Sequence, residues 1–124
     1  MQFGEFIDRV QERTGLSSRD DVEAVIKAVL ETLGERLDRK VRNGVEAQLP
    51  NELKESLLVR AQAIGQYNVE EFFNRVGARA DLTYQDATER TRQVLSILRE
   101  AISDGEIQDI RESLPGEYDI LLGT

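Results

Sequence analysis

The segment Glu5-Phe6-Ile7-Asp8-Arg9-Val10 recurs 66 positions later as Glu71-Phe72-Phe73-Asn74-Arg75-Val76, and this recurrence is the strongest indication of the fold. Six of the twelve positions in residues 5–16 are identical in residues 71–82. An offset of 65 then keeps the register as far as Leu49-Pro50-x-Glu52 and Leu114-Pro115-x-Glu117. A match that holds register over this length predicts two tandem copies of one unit.

Apolar residues in both copies recur with helical spacing. The first helix of each copy carries the stripe Phe3, Phe6, Ile7 and Val10, or Val69, Phe72, Phe73 and Val76. The long second helix carries Val22, Val25, Ile26, Val29, Leu30, Leu33 and Leu37, or Ala87, Thr91, Val94, Leu95, Leu98 and Ile102. We expect both stripes to face the core.

Helix boundaries can also be read from the sequence. Ser17, Thr83 and Asn68 are placed to cap helix N-termini, because their side chains can accept from a first-turn N–H. A third helix is predicted from near Asp38 to Leu49, and its counterpart from near Ser103 to Leu114. Pro50 and Pro115 then begin a fourth. Gly44, inside the third helix, predicts that this helix is short or that Gly44 marks a close contact or a break.

These patterns predict an all-α fold, with residues 1–124 as one compact domain of two tandem homologous units of three to four helices each. The first unit spans residues 1–58 and the second spans residues 67–124. The stretch between them, Val59 to Tyr67, is short and partly apolar. We therefore expect the two units to pack against each other.

The chain is acidic, with a net charge of -8, and most of the acidity lies in its second half. Residues 1–66 carry 10 Lys and Arg against 12 Asp and Glu, whereas residues 67–124 carry 6 against 12. Such a charge repels nucleic acid and anionic membranes, so neither is an expected partner. Colloidal solubility explains the acidity, with a cationic partner as the alternative. No signal peptide or membrane span is visible, which predicts a cytoplasmic location.

The sequence contains no Cys and no His. Thiolate metal sites, disulfides and cysteine nucleophiles are therefore excluded, and the most common general base is absent. No glycine-rich phosphate loop or serine nucleophile motif occurs. We predict no catalytic residue, no cofactor and no metal site.

Two charged clusters could carry chemistry, but each has a simpler interpretation. The acids Asp104, Glu106 and Asp109 could hold a hard cation, yet acids at a helix N-terminus are expected without one. The basic cluster of Arg36, Arg39, Lys40 and Arg42 could contact phosphate. Its alternative is a solvated face or ion pairs with Glu35, Asp38 and Glu46.

Two arginine pairs recur in both copies and are the candidate site residues for contact with an anion or a protein partner: Arg9, Arg13, Arg75 and Arg79. A spacing of four residues places each pair on one helix face. The alternative is a structural ion pair within each unit, to Glu5 or Glu71 or to acids of the long helix.

The doubled pattern Phe-x-x-Arg-Val-x-x-Arg-x-x-Leu, followed by Leu-Pro-x-Glu, resembles the bacterial domain-of-unknown-function family number 2267. The resemblance extends from Phe3 to Leu122. It implies an internally duplicated all-helical fold and no established activity.

Two hypotheses about function follow from the sequence. The leading one is a non-enzymatic helical module that binds a protein partner or self-associates. The alternative is a small-ligand or anion-binding protein, or an enzyme, that uses the repeated arginines and nearby acids.

Overall fold

The computed structural model describes residues 1–62 and 65–123. This part of the chain forms eight α-helices and a short 3-10 helix at Gly116–Tyr118, with no β-strand. The helices are α1 (Phe3–Thr14), α2 (Arg19–Arg36), α3 (Arg39–Gln48), α4 (Asn51–Leu58), α5 (Val69–Ala80), α6 (Tyr84–Ala101), α7 (Asp104–Ser113) and α8 (Asp119–Leu122). The all-α prediction is confirmed. Ala63 and Ile64, in the predicted linker, lie outside the described residues.

Side-chain caps confirm several predicted helix starts. The Asn68 side chain accepts a hydrogen bond from the Glu71 N–H at 2.9 Å and so begins α5. Ser103 accepts from the Glu106 N–H at 3.1 Å and begins α7. Thr83 caps α6 in the same way. Each cap satisfies one of the N–H groups that a helix leaves free at its N-terminus.

The predicted cap at Ser17 is wrong by one residue, because Ser18 caps α2 and accepts from the Asp21 N–H at 3.3 Å. The side-chain amide of Gln11 explains the difference, since it lies 3.2 Å from the Leu16 carbonyl and 3.3 Å from the Ser17 carbonyl. These two residues are thereby held against the end of α1, outside the next helix.

The predicted stripes lie in the core, together with residues of the shorter helices such as Val45, Leu57 and Ile110. Their members are buried except Phe3 and Val69, which are half-buried against the core. The two long helices, α2 and α6, contact each other at the centre. Helix α2 also packs against α4 and α5, and α6 also packs against α1, α5 and α8, while α3 lies against α7.

Gly34 lets α4 approach α2 very closely. A Cβ atom built on Gly34 would lie 1.8 Å from the carbonyl oxygen of Leu57, which no side chain can occupy. Only glycine therefore fits where these two helices touch.

Gly44 lies inside an unbroken α3, so the predicted close contact is confirmed and the predicted break is not. The neighbour is the Glu106 carboxylate of α7, which would be 2.4 Å from an added Cβ. The two glycines differ in what they face. Gly34 faces backbone, whereas Gly44 faces the end of a flexible side chain.

Candidate functional site

The best-buried charged group is Glu35, near the end of α2, whose side chain is only 5 % exposed. Arg75 Nη1 donates to its Oε1 at 2.8 Å, and Arg79 Nη2 lies 3.1 Å from its Oε2. The Tyr67 hydroxyl adds a third hydrogen bond at 2.7 Å. Burial alone would raise the pKa of Glu35, but the hydrogen bonds from Tyr67 and Arg75 and the charge of Arg79 hold it below its usual value.

Each of these two arginines also uses a second donor. Arg79 Nη1 donates to Thr32 Oγ1 at 2.8 Å, and Arg75 Nε donates to Glu71 Oε2 at 2.8 Å. The Arg75 guanidinium lies 4.0 Å from the centre of the Tyr67 ring, within range of a cation–π contact. Both arginines are thus held by side chains of α2, α5 and the segment before α5.

The first arginine pair lies on a second carboxylate. Arg9 bonds Glu5 at 2.9 Å and also contacts Glu100 of α6. Arg13 Nη2 lies 3.7 Å from Glu100 Oε2, and its Nη1 donates to Ser96 Oγ at 2.8 Å. Glu100 is 39 % exposed, so this cluster is far more open to water than the one at Glu35.

Ion pairing of the repeated arginines is thus observed, but the prediction that it stays within each unit is only partly right. The bonds to Glu5 and Glu71 are local, one helical turn away. The bonds to the long helices cross the chain, from α1 to α6 and from α5 to α2. A carboxylate brought close by packing accepts these contacts, and sequence spacing alone does not show it.

In the basic cluster, Arg36 and Arg42 contact carbonyl and hydroxyl oxygens, whereas Arg39 and Lys40 are exposed. Arg36 Nε donates to the Tyr67 carbonyl at 3.1 Å and to the Tyr118 hydroxyl at 3.2 Å. Arg42 donates to the Leu37 carbonyl at 3.2 Å, at the end of α2. The suggested ion pairs with Glu35, Asp38 and Glu46 are absent among the described residues, because Glu35 is occupied by α5 and Asp38 caps α3.

The acidic cluster at the start of α7 serves as a helix N-terminus. Ser103 caps the helix, and Glu106 lies against Gly44. Burial, followed by the charge of Asp109, raises the pKa of Glu106. No three metal-ligating side chains come together anywhere in residues 1–62 and 65–123.

A groove of about 700 Å³ runs along the outer face of α6, and we call it the α6 groove. Five of its α6 residues lie on one stripe of the helix: Gln85, Thr88, Arg92, Ser96 and Arg99. Leu121 and Leu122 of α8 line one side, Arg13 of α1 reaches in from another, and Tyr84 stands at the start of α6. From Gln85 to Arg99 the stripe is about 21 Å long, at 1.5 Å per residue.

At the far end of the α6 groove, two arginines from other helices, Arg99 of α6 and Arg111 of α7, bond the C-terminal end of α8. Arg99 Nη1 donates to the Leu122 carbonyl. Arg111 Nη2 donates to the Gly123 carbonyl at 2.7 Å. Cations suit a helix C-terminus, where carbonyl groups lack helical partners.

The family model described as "uncharacterized conserved protein (DUF2267)" matches residues 3–121. The chain belongs to this family. The predicted resemblance is therefore confirmed over almost the whole sequence. No curated protein matches the chain.

Membership in the DUF2267 family brings no residue roles with it, so the site rests on this chain's own geometry. None of the helices in the described ranges has the length and apolar character that spanning a lipid bilayer requires.

The sequence analysis did not single out several residues of the arginine–glutamate clusters and of the α6 groove. Glu35 and Glu100 were visible as a matched pair in the repeat register, and that signal could have identified them as the acids facing the repeated arginines. Tyr67 and Arg92 carried no signal, because their neighbours come from distant parts of the chain.

Proposed function

We propose that this protein is a non-enzymatic helical interaction module that binds a protein segment in the α6 groove. The groove itself carries the proposal, because it is long, open and lined by both apolar and charged groups. Interaction sites of helical proteins commonly take an amphipathic segment in such a groove. Tyrosine and arginine side chains supply much of the binding energy at protein interfaces. The groove is lined by one such tyrosine, Tyr84, and by Arg92 and Arg99 among its arginines.

We also propose that the chain is one compact domain of two homologous units, related by an approximate two-fold axis. The arginine contacts support this. Arg75 and Arg79 of α5 bond Glu35 of α2, and Arg9 and Arg13 of α1 contact Glu100 of α6. The arginines are 66 positions apart and the glutamates 65 apart, as the repeat register requires. Each unit's first helix then packs on the other unit's long helix.

On this proposal, the α6 groove marks a difference between the units. In the 65-residue register Arg99 corresponds to Gly34, and Leu122 corresponds to Leu57. The Leu57 carbonyl lies directly against Gly34, whereas the Leu122 carbonyl receives the Arg99 guanidinium. An arginine side chain therefore stands between α6 and α8, and the corresponding space between α2 and α4 is closed by backbone contact.

The alternative function, binding of an anion or catalysis by the repeated arginines, has less support. Each of these four side chains lies within 4.0 Å of a carboxylate of the same chain. We propose that their main role is to hold α1 on α6 and α5 on α2. Of the four, Arg13 also lines the α6 groove, so it can also contact a partner bound there.

Panning a random phage-displayed peptide library on the intact protein tests the proposed function. Peptides recovered on the wild type should lose about 10-fold or more in affinity for Thr88→Trp, because the indole fills the groove. Ala47→Trp is the matched control, since Ala47 is exposed on α3 and does not line the groove. Affinity for this control should match that for the wild type.

Two results would contradict the proposal. One is the recovery of no peptide above background. The other is recovery of peptides that bind Thr88→Trp as tightly as the wild type, which would locate binding elsewhere on the surface.

A further inference from the structure

We infer that the occupant of the α6 groove is an acidic, amphipathic protein segment. This inference rests on the function proposed above and specifies its partner. The charge of the groove carries it. Arg13, Arg92 and Arg99 line the groove, and Glu89 is the acid among its lining residues, in a chain whose net charge is -8.

The arginines at the groove are notable because the second half of the chain contains few cations. Residues 67–124 contain only 6 Lys and Arg against 12 Asp and Glu. Arg75 and Arg79 among these are held at Glu35, as described above. Two of the remaining four, Arg92 and Arg99, line the groove, and a third, Arg111, bonds the carbonyl of Gly123 at its end. Three of the six cations of this acidic half thus lie in the groove or at its end.

The groove arginines retain donors that a partner can use. Arg92 is exposed and makes no hydrogen bond or ion pair to any described residue. Arg99 is exposed as well and donates through Nη1 to Leu122. A guanidinium carries five N–H donors in a planar fork, so both side chains can receive a carboxylate in a bidentate arrangement.

The apolar lining determines the second property of the partner. Tyr84, at one end, is 47 % exposed although its ring packs edge-on against Phe73. Leu121 and Leu122 lie along one side of the groove but are almost fully buried, at 2 % and 5 % exposed, so Tyr84 is the main accessible apolar side chain. A segment that places an apolar side chain on Tyr84 and carboxylates on Arg92 and Arg99 matches both features, and one face of a helix presents side chains at i, i+3 and i+4.

The acidic side chains in and beside the groove argue against nucleic acid as its occupant. Charges within a Debye length, about 8 Å at physiological salt, act on a long polyanion together. Glu89 in the groove and Asp86 and Glu100 on the same helix are all exposed and oppose a phosphate chain. A peptide needs only a few carboxylates, and each can lie directly on an arginine.

Charge reversal at Arg92 tests the inference on the peptides recovered by panning. These peptides should be more acidic than the input library, and Arg92→Glu should weaken their binding by about 10-fold, with the effect shrinking as salt is added. Lys27→Glu is the matched control. Lys27 is an exposed cation at the corresponding position of α2 and lies outside the groove.

The outcomes separate this inference from the function on which it rests. If the peptides that Thr88→Trp rejects are neutral or basic, or if they bind Arg92→Glu like the wild type, the acidic partner is wrong and the groove function stands. If no peptide depends on the groove, both fall. If groove amide signals in NMR spectra change with protein concentration alone, the occupant is a second copy and the inference is overturned.

Discussion

Two buried threonines, Thr32 in α2 and Thr91 in α6, illustrate how single residues decide local stability. Both are completely buried. The Thr32 hydroxyl donates to the Ala28 carbonyl at 2.8 Å and accepts from Arg79 at 2.8 Å. The Thr91 hydroxyl has no partner among the described residues, in a stripe where the first copy has Ile26. A buried polar group without a partner reduces stability.

Replacing each threonine with valine should therefore have opposite effects. Thr91→Val removes an unpaired hydroxyl and should raise the free energy of unfolding by about 1 kcal/mol. Thr32→Val leaves Nη1 of Arg79 without its acceptor and should lower the free energy of unfolding by about 1–2 kcal/mol. Urea denaturation measures both values. A Thr91→Val protein less stable than the wild type would show that its hydroxyl is satisfied.

At the level of whole helices, Gly34 and Gly44 show how the packing of two helices depends on a single residue. Gly34 belongs to the contact between α2 and α4, and Gly44 to the contact between α3 and α7. In the sequence both are glycines inside predicted helices. Their surroundings in the folded protein differ. Gly34 faces the backbone carbonyl of Leu57, whereas Gly44 faces the movable side-chain carboxylate of Glu106.

Alanine at the two positions should give different results. Gly34→Ala must push α4 away and should cost about 2 kcal/mol or more, despite the better helix propensity of alanine. Gly44→Ala needs only a rotation of Glu106, so the propensity gain of up to about 1 kcal/mol offsets the contact and the net change should be small. Thermal and urea unfolding compare the two directly. Equal destabilisation would mean that Glu106 cannot move.

At the scale of the whole molecule, Glu35 connects parts of the chain that are far apart in sequence. It lies in α2, its two arginine partners lie in α5, and Tyr67 lies in the segment before α5. Arg36 extends the network by bonding the Tyr67 carbonyl and the Tyr118 hydroxyl. One buried carboxylate thus fixes how the second half of the chain lies on the first.

Glu35→Gln should destabilise the protein by about 3 kcal/mol at pH 7, because two arginines lose a buried partner. Glu100→Gln, at the exposed cluster, should leave the unfolding midpoint close to that of the wild type. Since the folded pKa of Glu35 is depressed, its contribution is complete above the usual value of 4.5 and is lost as the pH falls through the folded pKa. The difference between wild type and Glu35→Gln should therefore shrink below about pH 4.5. A difference that is constant down to pH 3 would contradict this assignment.

The all-α class, most helix starts to within one residue and the apolar stripes of the core follow from the sequence alone. The fourth helix predicted from Pro115 is an exception, because a 3-10 helix at Gly116–Tyr118 precedes the short α8. Helical spacing of Phe6, Ile7 and Val10 and caps such as Asn68 act within a few residues, so their signals are local. The predicted cap at Ser17 was wrong by one position, because the Gln11 side chain of α1 bonds the carbonyl groups of Leu16 and Ser17.

Which charges meet, and where the groove proposed as a partner site forms, depends on the tertiary structure. The partners of Arg75 and Arg79 lie about 40 residues away in α2, and the α6 groove combines side chains from α1, α6 and α8. Electrostatic contacts depend on distance and burial in the folded chain, which helix spacing does not encode. The repeated arginines and the matched pair Glu35 and Glu100 were therefore visible in the sequence, but the burial of Glu35 against Arg75 and Arg79 and the groove beside Arg92 and Arg99 were not.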